Sequence, residues 1–391
     1  MKPTNQSEIT RRAILRLLLG GSSFAGVAIL REPWLAAFAG GGGGQPGGWF
    51  GAVPRTQPTF PEGAIIRTIL SDLPPTSLNA GSIQFHEHIG GVFTPPRPLG
   101  ASDIPPGVLQ PKTEAEHLEQ MIAELQMSRA DGVNCLVDAA ADQRREAHTV
   151  DNLRTLSQKS GMHIILGGGY YQDLALAPRY PAAVVQMSED ALVQEFVRDA
   201  RGQRWGAFGE IASSQPMQEA ERKVHRAIGR AHLQTNLPIL THTPHEGCPS
   251  CATGQLDLLE SVGVNPRRVA IGHLATIKPD QEPLGQTAKA LGKRGAFLGF
   301  DTVGHQMGRS MIPEAHKVRH FLEVLNAGFE DQLLLSADST PQPQLKTNWG
   351  QGYSSVVTQF VPKLRYAGVS DAILHKVLVD NPRRFLAFVP K

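Results

Sequence analysis

From Ile65 onward the chain alternates short apolar runs rich in β-branched residues with longer stretches whose apolar residues recur every three or four positions. The short runs fall at Ser82–Phe85, Asn134–Val137, His163–Leu166, Gly206–Glu210, Pro238–Thr241, Val269–Gly272, Ala296–Phe300 and Leu333–Ala337. Between them lie helix candidates such as Glu114–Ala130, Met217–Thr235, Leu256–Val262 and Ala315–Ala327. Strands separated by helices pair in parallel, with each helix as the crossover. Eight such units predict an α/β fold, a (β/α)8 TIM barrel of about 250 residues before insertions. An open doubly wound sheet is the alternative. It would carry a glycine-rich turn after its first strand, whereas this one runs into His86-Glu87-His88.

Composition supports a globular core, with 41% apolar and 19% charged residues, and the 40 Gly and 29 Pro argue for many turns rather than a helical bundle. The N-terminus reads differently. Thr10-Arg11-Arg12-Ala13-Ile14-Leu15 sets paired arginines before an apolar run, and Ala37-Phe38-Ala39 offers small residues for cleavage, the pattern of a twin-arginine export signal over residues 1–39. Gly20, Gly21, Ser22 and Ser23 interrupt the run and Arg31-Glu32-Pro33 stops it, short of the roughly 20 apolar residues a membrane span needs. A Gly-rich linker is expected over residues 40–60 and the barrel over 61–391, in a periplasmic or secreted protein without stable membrane insertion after processing.

The formal charge of +2 comes from this leader, which holds Lys2, Arg11, Arg12, Arg16 and Arg31 against Glu8 and Glu32. The nearly neutral remainder gives no reason to expect nucleic acid as a partner. Three cysteines cannot make a disulfide framework. Cys248-Pro249-Ser250-Cys251 is read as a local disulfide or two thiols, in preference to a redox pair or a third metal site, and Cys135 as a small core residue.

Metal-ligand residue types fall where the strands end. His86 and His88, at positions i and i+2, aim to one side of a strand; Glu210 ends the fourth strand, His242 the fifth, His273 the sixth and Asp338 the eighth. The C-terminal strand ends of a barrel form one rim around one pocket, so six separate residues become one candidate centre. Singly, each has an ordinary reading as a satisfied histidine or a helix cap; together they form a ligand set without thiolate. Such a set suits zinc first, with manganese, iron or cobalt as alternatives. Two divalent ions would bring water to ionise near neutrality and polarise a substrate oxygen, with no serine or cysteine nucleophile. His117, His148, His225 and His232 lie in helical stretches and are expected to face solvent; His163 is expected at the bottom of the barrel.

The motifs resemble the phosphotriesterase family of the amidohydrolases. Gly81-Ser82-Ile83-Gln84-Phe85-His86-Glu87-His88 is similar to its first-strand motif, and Leu240-Thr241-His242-Thr243, Ile271-Gly272-His273, Leu335-Ser336-Ala337-Asp338 and Asn381-Pro382-Arg383-Arg384-Phe385 to its later ones. The resemblance implies two ions: a more buried one on His86, His88 and Asp338, and a more exposed one on His242 and His273. Glu210 would bridge them in place of the carbamylated lysine of the best-known members, as in the phosphotriesterase homology protein subgroup, which Gly169-Tyr170-Tyr171-Gln172-Asp173 and Gly350-Gln351-Gly352-Tyr353 also resemble. It implies a hydroxide that bridges the ions and attacks a small ester or lactone, with Asp338 taking the proton. Tyr170 stands where lactonase members place a tyrosine, and is read as catalytic or as a packed rim aromatic. Thr276 and Thr302 stand where organophosphate-degrading members carry an outer Asp and His. Phosphotriester and N-acyl amide hydrolysis stay open, as do a catalytically silent metal-bearing ligand-binding barrel and a homodimer.

Overall fold

The computed structural model describes residues 57–90, 111–139, 147–172, 180, 182–305, 312–340 and 344–391. The expected export signal and most of the Gly-rich linker lie outside these residues, as do Asp173 and parts of the loops after the seventh and eighth strands. All eight expected strands form: β1 Ser82–Glu87, β2 Val133–Asp138, β3 His163–Leu166, β4 Phe208–Ala212, β5 Ile239–His242, β6 Val269–Ile271, β7 Phe297–Asp301 and β8 Leu333–Ser336. They pair in parallel and in chain order, β1 to β3 in one sheet and β4 to β8 in another.

Backbone hydrogen bonds bridge both seams between the sheets. Gly206 N donates to Leu166 O at 2.8 Å and Gly209 N to Gly168 O at 2.8 Å, while His88 N donates to Ser339 O at 2.9 Å and Asp338 N to His86 O at 3.2 Å. The crossovers include α1 Glu114–Ala130, α2 Ala147–Ser160, α3 Glu189–Gly202, α4 Glu219–Thr235, α5 Pro249–Ser261, α6 Gln286–Arg294 and α7 Glu314–Asn326. The fold is the TIM-barrel α/β architecture. Helix α5 starts earlier than its apolar spacing suggests, because Pro249 suits a first helical position, where no N–H is needed.

Period-two alternation sorts each strand's side chains between two cores. Ile83, Phe85, Cys135, Val137, Ile165, Leu240, Ala270, Phe297 and Leu334 pack together inside, and Phe385 and Leu386 of the last helix join them with Ile66 and Leu78. Leu136, Ile164, Ile239, Ile271, Leu298 and Leu335 face outward onto helix residues such as Leu125, Phe196, Ile228, Leu256 and Phe321. Burying one such side chain stabilises the fold by about 1.5–3 kcal/mol. Ile65 and Phe388 exchange backbone hydrogen bonds of 2.8 and 2.9 Å, so the segments that lead into and out of the barrel pair with each other.

The helical histidines need a correction. His148 is exposed, but His117, His225 and His232 are buried, each with a ring nitrogen on a carbonyl oxygen: Gly90 at 2.6 Å, Glu221 at 2.8 Å and Leu237 at 2.6 Å. In α4, His225, Ile228, Gly229 and His232 form one buried stripe at helical spacing. His163 is half-buried at the start of β3.

Candidate metal centre

The six expected ligand residues meet above the inner core. His242 is the last residue of β5, whereas Glu210 sits within β4, and His273 and Asp338 follow β6 and β8 by a short step. His273 and Asp338 take left-handed backbone, with φ of 60° and 52°. Non-glycine residues held there cost of order 1–3 kcal/mol, and such outliers gather at functional sites. Gly209 is required before Glu210: its φ is 133°, and a Cβ would stand 2.3 Å from the Leu240 carbonyl oxygen. In β1, Ile83 and Phe85 point into the inner core, so strict alternation would turn His86 away. His88 shares that parity, and the pairing with β2 shifts register between Gln84 and Glu87, an irregularity beside which both histidines reach the pocket.

The donor atoms form two overlapping groups. Those of His86, Glu210, His242 and His273 lie within 4.8 Å of one another, as do those of His86, His88 and Asp338. Glu210 reaches both. Its Oε2 stands 2.9 Å from His86 Nε2 and 2.5 Å from His242 Nδ1, and its Oε1 stands 3.3 Å from His88 Nε2. Asp338 Oδ1 is 3.0 Å from His88 Nε2, and His273 Nε2 is 2.8 Å from His242 Nδ1.

Outer partners fix which nitrogen faces inward. One buried carboxylate, Asp301 at the end of β7, holds two rings: its Oδ2 is 2.6 Å from His86 Nδ1, and its Oδ1 is 3.1 Å from His273 Nδ1 and accepts the His273 backbone N–H at 2.5 Å. The Tyr171 hydroxyl lies 3.1 Å from His242 Nε2, leaving Nδ1 for the pocket. Three rings thus have one nitrogen anchored and the other turned towards Glu210, the arrangement that metal-ligating histidines need. His86 Nε2 is fully buried, and the Glu210 oxygen 2.9 Å away is not aligned to satisfy it as a hydrogen bond. Carboxylates among inward-facing imidazoles, without thiolate, fit a pair of divalent cations.

Electrostatics point the same way. Burial favours protonated Glu210 and Asp338, but the surrounding histidines outweigh it and hold both well below the usual carboxylate range. Burial also opposes charge on His86 and His88, yet Glu210 with Asp301, and Glu210 with Asp338, raise them, His88 to about 10. Burial wins at His242 and His273, which are lowered. The pocket's anions therefore draw in positive charge, and protons occupy sites that a metal would compete for.

Beneath the rim, buried Glu87 accepts from Ser336 Oγ at 2.7 Å, Ala337 N at 2.8 Å and Ser339 N at 2.7 Å, and so clamps the turn that carries Asp338. Burial, partly offset by those donors, raises Glu87 to about 7.

Tyr170 does not reach the centre. Its hydroxyl donates to Glu195 on α3 at 2.6 Å and its ring packs against Tyr180 and Phe196, which corrects the catalytic reading of that residue; its neighbour Tyr171 faces His242. Gly167, Gly168 and Gly169 separate the pair from β3, so strand alternation cannot be carried forward to choose between them. Asp301 and Glu87 also go unassigned in the sequence, although Asp301 ends a strand on the same rim. Thr276 Oγ1 donates to His273 O at 2.8 Å, and Thr302 O accepts from buried Lys317 Nζ at 2.6 Å; neither offers an acid–base group. Cys248 and Cys251 are joined as a disulfide, and Cys135 is a buried free thiol.

A family model described as the phosphotriesterase family matches residues 80–386. The chain belongs to the phosphotriesterase family. It is 30% identical over 291 residues to N-acetyltaurine hydrolase of Homo sapiens, covering 72% of this chain and 80% of that one. Phosphotriesterase homology protein from Escherichia coli, solved with phosphate in its active site, superposes with a TM-score of 0.64 at 27% identity, over 79% of this chain and 99% of that one. A lactonase from Listeria monocytogenes shares the fold, with a TM-score of 0.65 at 22% identity over 82% of this chain and 98% of that one. Phosphotriesterase-family membership makes this chain a hydrolase whose His, Glu and Asp cluster can hold metal.

Proposed function

We propose that this phosphotriesterase-family chain is a binuclear-metal hydrolase of small acyl compounds: esters or lactones, or the N-acyl amides that its N-acetyltaurine-hydrolysing relatives suggest. The observation that carries the reading is Glu210, whose two oxygens reach His86 and His242 on one side and His88 on the other. His86, His88 and Asp338 would hold a more buried ion and His242 and His273 a more exposed one, with Glu210 placed between the two sets. Two divalent ions bound there would supply a water that ionises near neutral pH and would polarise the substrate's carbonyl oxygen. Asp338, kept anionic, would accept the proton of the attacking water and pass it to the leaving group. Asp301 and Tyr171 keep the imidazoles aimed, and Glu87 keeps Asp338 in reach. Thr276 and Thr302 supply no outer proton relay, which favours acyl bonds over phosphotriesters.

The test is a comparison of rates on matched lactones, aryl esters, N-acyl amides and phosphotriesters, using protein reconstituted with zinc, manganese or cobalt. Acyl substrates should exceed phosphotriesters by at least about 100-fold in kcat/KM, a difference of ~2.7 kcal/mol in transition-state binding. Phosphotriesters ranking first would reject the assignment. Metal content near two per chain and loss of activity with a chelator should accompany it; a metal-free, folded and active protein would end the mechanism. A metal-bearing barrel that only binds ligand would show two ions and no turnover on any panel.

Export through the twin-arginine route is part of the proposal, supported by Arg11-Arg12 and by the Cys248–Cys251 disulfide, a bond suited to an oxidising compartment. Changing Arg11 and Arg12 together to Lys should leave precursor in the cytoplasm. Undiminished export of that variant rejects the route.

A further inference from the structure

His245 lies outside the six residues assigned above, yet it stands at their edge. With His273 and Asp338 it forms a third group whose donor atoms all lie within 4.8 Å of one another. Its Nε2 is 3.9 Å from Asp338 Oδ2, and its ring centroid is 4.4 Å from that of His273 and 4.9 Å from that of His242. The side chain is 18% exposed, on the solvent side of rings that are almost fully buried.

The loop that carries it is built to hold position. Thr243 Oγ1 ties its start to Gly272 O at 2.9 Å, and Gly247 N closes a turn onto Pro244 O at 2.9 Å. Gln281 Nε2, from the loop after β6, donates to Glu246 O at 3.2 Å and to Gly247 O at 2.8 Å. Gly247 has a φ of 80°, and a Cβ there would stand 2.6 Å from the Thr276 carbonyl oxygen, so only glycine fits this close approach. The Cys248–Cys251 disulfide then fastens the far side of the loop to the first turn of α5. Four separate restraints on so short a loop hold an imidazole over the centre, which gives the His242-Thr243-Pro244-His245 spacing and the paired cysteines one common purpose.

We infer that His245 is an additional protein ligand of the more exposed ion, beside His242 and His273. The inference rests on the metal-centre reading above and deepens it. An imidazole added to that ion would tighten its retention more than that of the ion on His86 and His88, whose ligand set shares only Asp338 with the His245 group. The test is stepwise chelator competition on the full mature protein loaded with cobalt(II), comparing wild type, His245→Ala and His245→Gln, with the exposed-site change His148→Ala as a control. Both His245 variants should hold the first ion within about twofold of wild type and bind the second at least about 10-fold more weakly, the lower end of what supporting residues around a metal already cost. The visible absorption of the second cobalt equivalent should change in step. In wild type itself, hyperfine-shifted ring N–H signals should report five imidazoles.

An unchanged second affinity and spectrum, or only four shifted imidazoles, overturns the inference even if KM rises, because that outcome makes His245 a substrate contact. If folded wild type binds fewer than two ions, the metal-centre reading itself fails and takes this inference with it.

Discussion

The barrel rim and the helix layer both bury histidines, and they use them in opposite ways. His225, His232 and His320 lie in helices among apolar neighbours, and burial pushes them down to about 4, about 4 and about 3, so they are neutral packing groups at pH 7. His86 is just as enclosed and His88 partly so, but Glu210, with Asp301 or Asp338, raises them despite burial. What separates the rim histidines, the candidate metal ligands, from the core ones is the carboxylate beside each. Burial alone does not distinguish them.

The strongest way to break this comparison is to remove the carboxylate that both ions would share. Glu210→Gln keeps shape and loses charge, so at least about 100-fold should go from turnover, together with metal content, because a bridging ligand matters more than the supporting groups whose loss costs about 10- to 100-fold. Glu210→Asp keeps the charge but not the reach and should fall between, and added bicarbonate should leave wild type unchanged. Metal analysis and kcat/KM on the same preparations check the order. Full metal and full rate in Glu210→Gln would remove Glu210 from the bridge.

Asp301 comes next, since it anchors two rings rather than bridging ions. Asp301→Asn keeps a hydrogen-bonding side chain but frees the two rings from a fixed anion that His273 and His86 hold at about 2 against the opposing effect of burial. Metal affinity should drop by about 10- to 100-fold, with the fold retained. An unchanged metal affinity would show that the rings keep their orientation without it.

These two residues also mark how far the sequence could be read. The strands, their order and all six rim residues were legible because ligand types recur at the ends of period-two runs, one strand after another. Asp301 sits on that rim too, but its partners lie on β1 and just past β6, and such contacts exist only once the barrel has closed. His86 and His88 reach the pocket beside a register irregularity that i and i+2 spacing does not reveal. His225 and His232 depart from their expected exposure for a different reason: they share a stripe with Ile228, and that periodicity outweighs their polarity.

Tyrosines 170 and 171 sharpen the comparison at one-residue resolution. Tyr171→Phe removes the hydroxyl beside His242 Nε2 and should lower kcat/KM by about 10-fold, with a matching loss of the more exposed ion. Tyr170→Phe removes a hydrogen bond to Glu195 on α3, so stability should fall by about 1 kcal/mol while kcat/KM stays unchanged. Chemical denaturation and steady-state kinetics on the two variants separate the roles, and the reverse pattern would restore Tyr170 to the site.

The smallest effect belongs to the helix layer and is a pH effect on stability. His225 and His232 are lowered to about 4 in the fold by burial, against about 6.5 in the unfolded chain, so between those values the unfolded state binds more protons. Their contribution is fully present above pH 6.5, is lost progressively as pH falls, and levels off below about 4. From pH 7 to pH 5.5 each should cost about 1 kcal/mol. The measurement is urea unfolding of metal-free protein at those two pH values, for wild type and for His225→Gln. Metal-free protein is needed because loading is itself proton-linked through the rim. The variant should be less stable at pH 7, since Gln does not match the ring's packing, but its loss between pH 7 and 5.5 should be smaller than that of wild type by about 1 kcal/mol. An equal loss in both proteins would mean that His225 keeps an ordinary pKa in the fold, and the contrast between neutral helix histidines and carboxylate-paired rim histidines would fail at that residue.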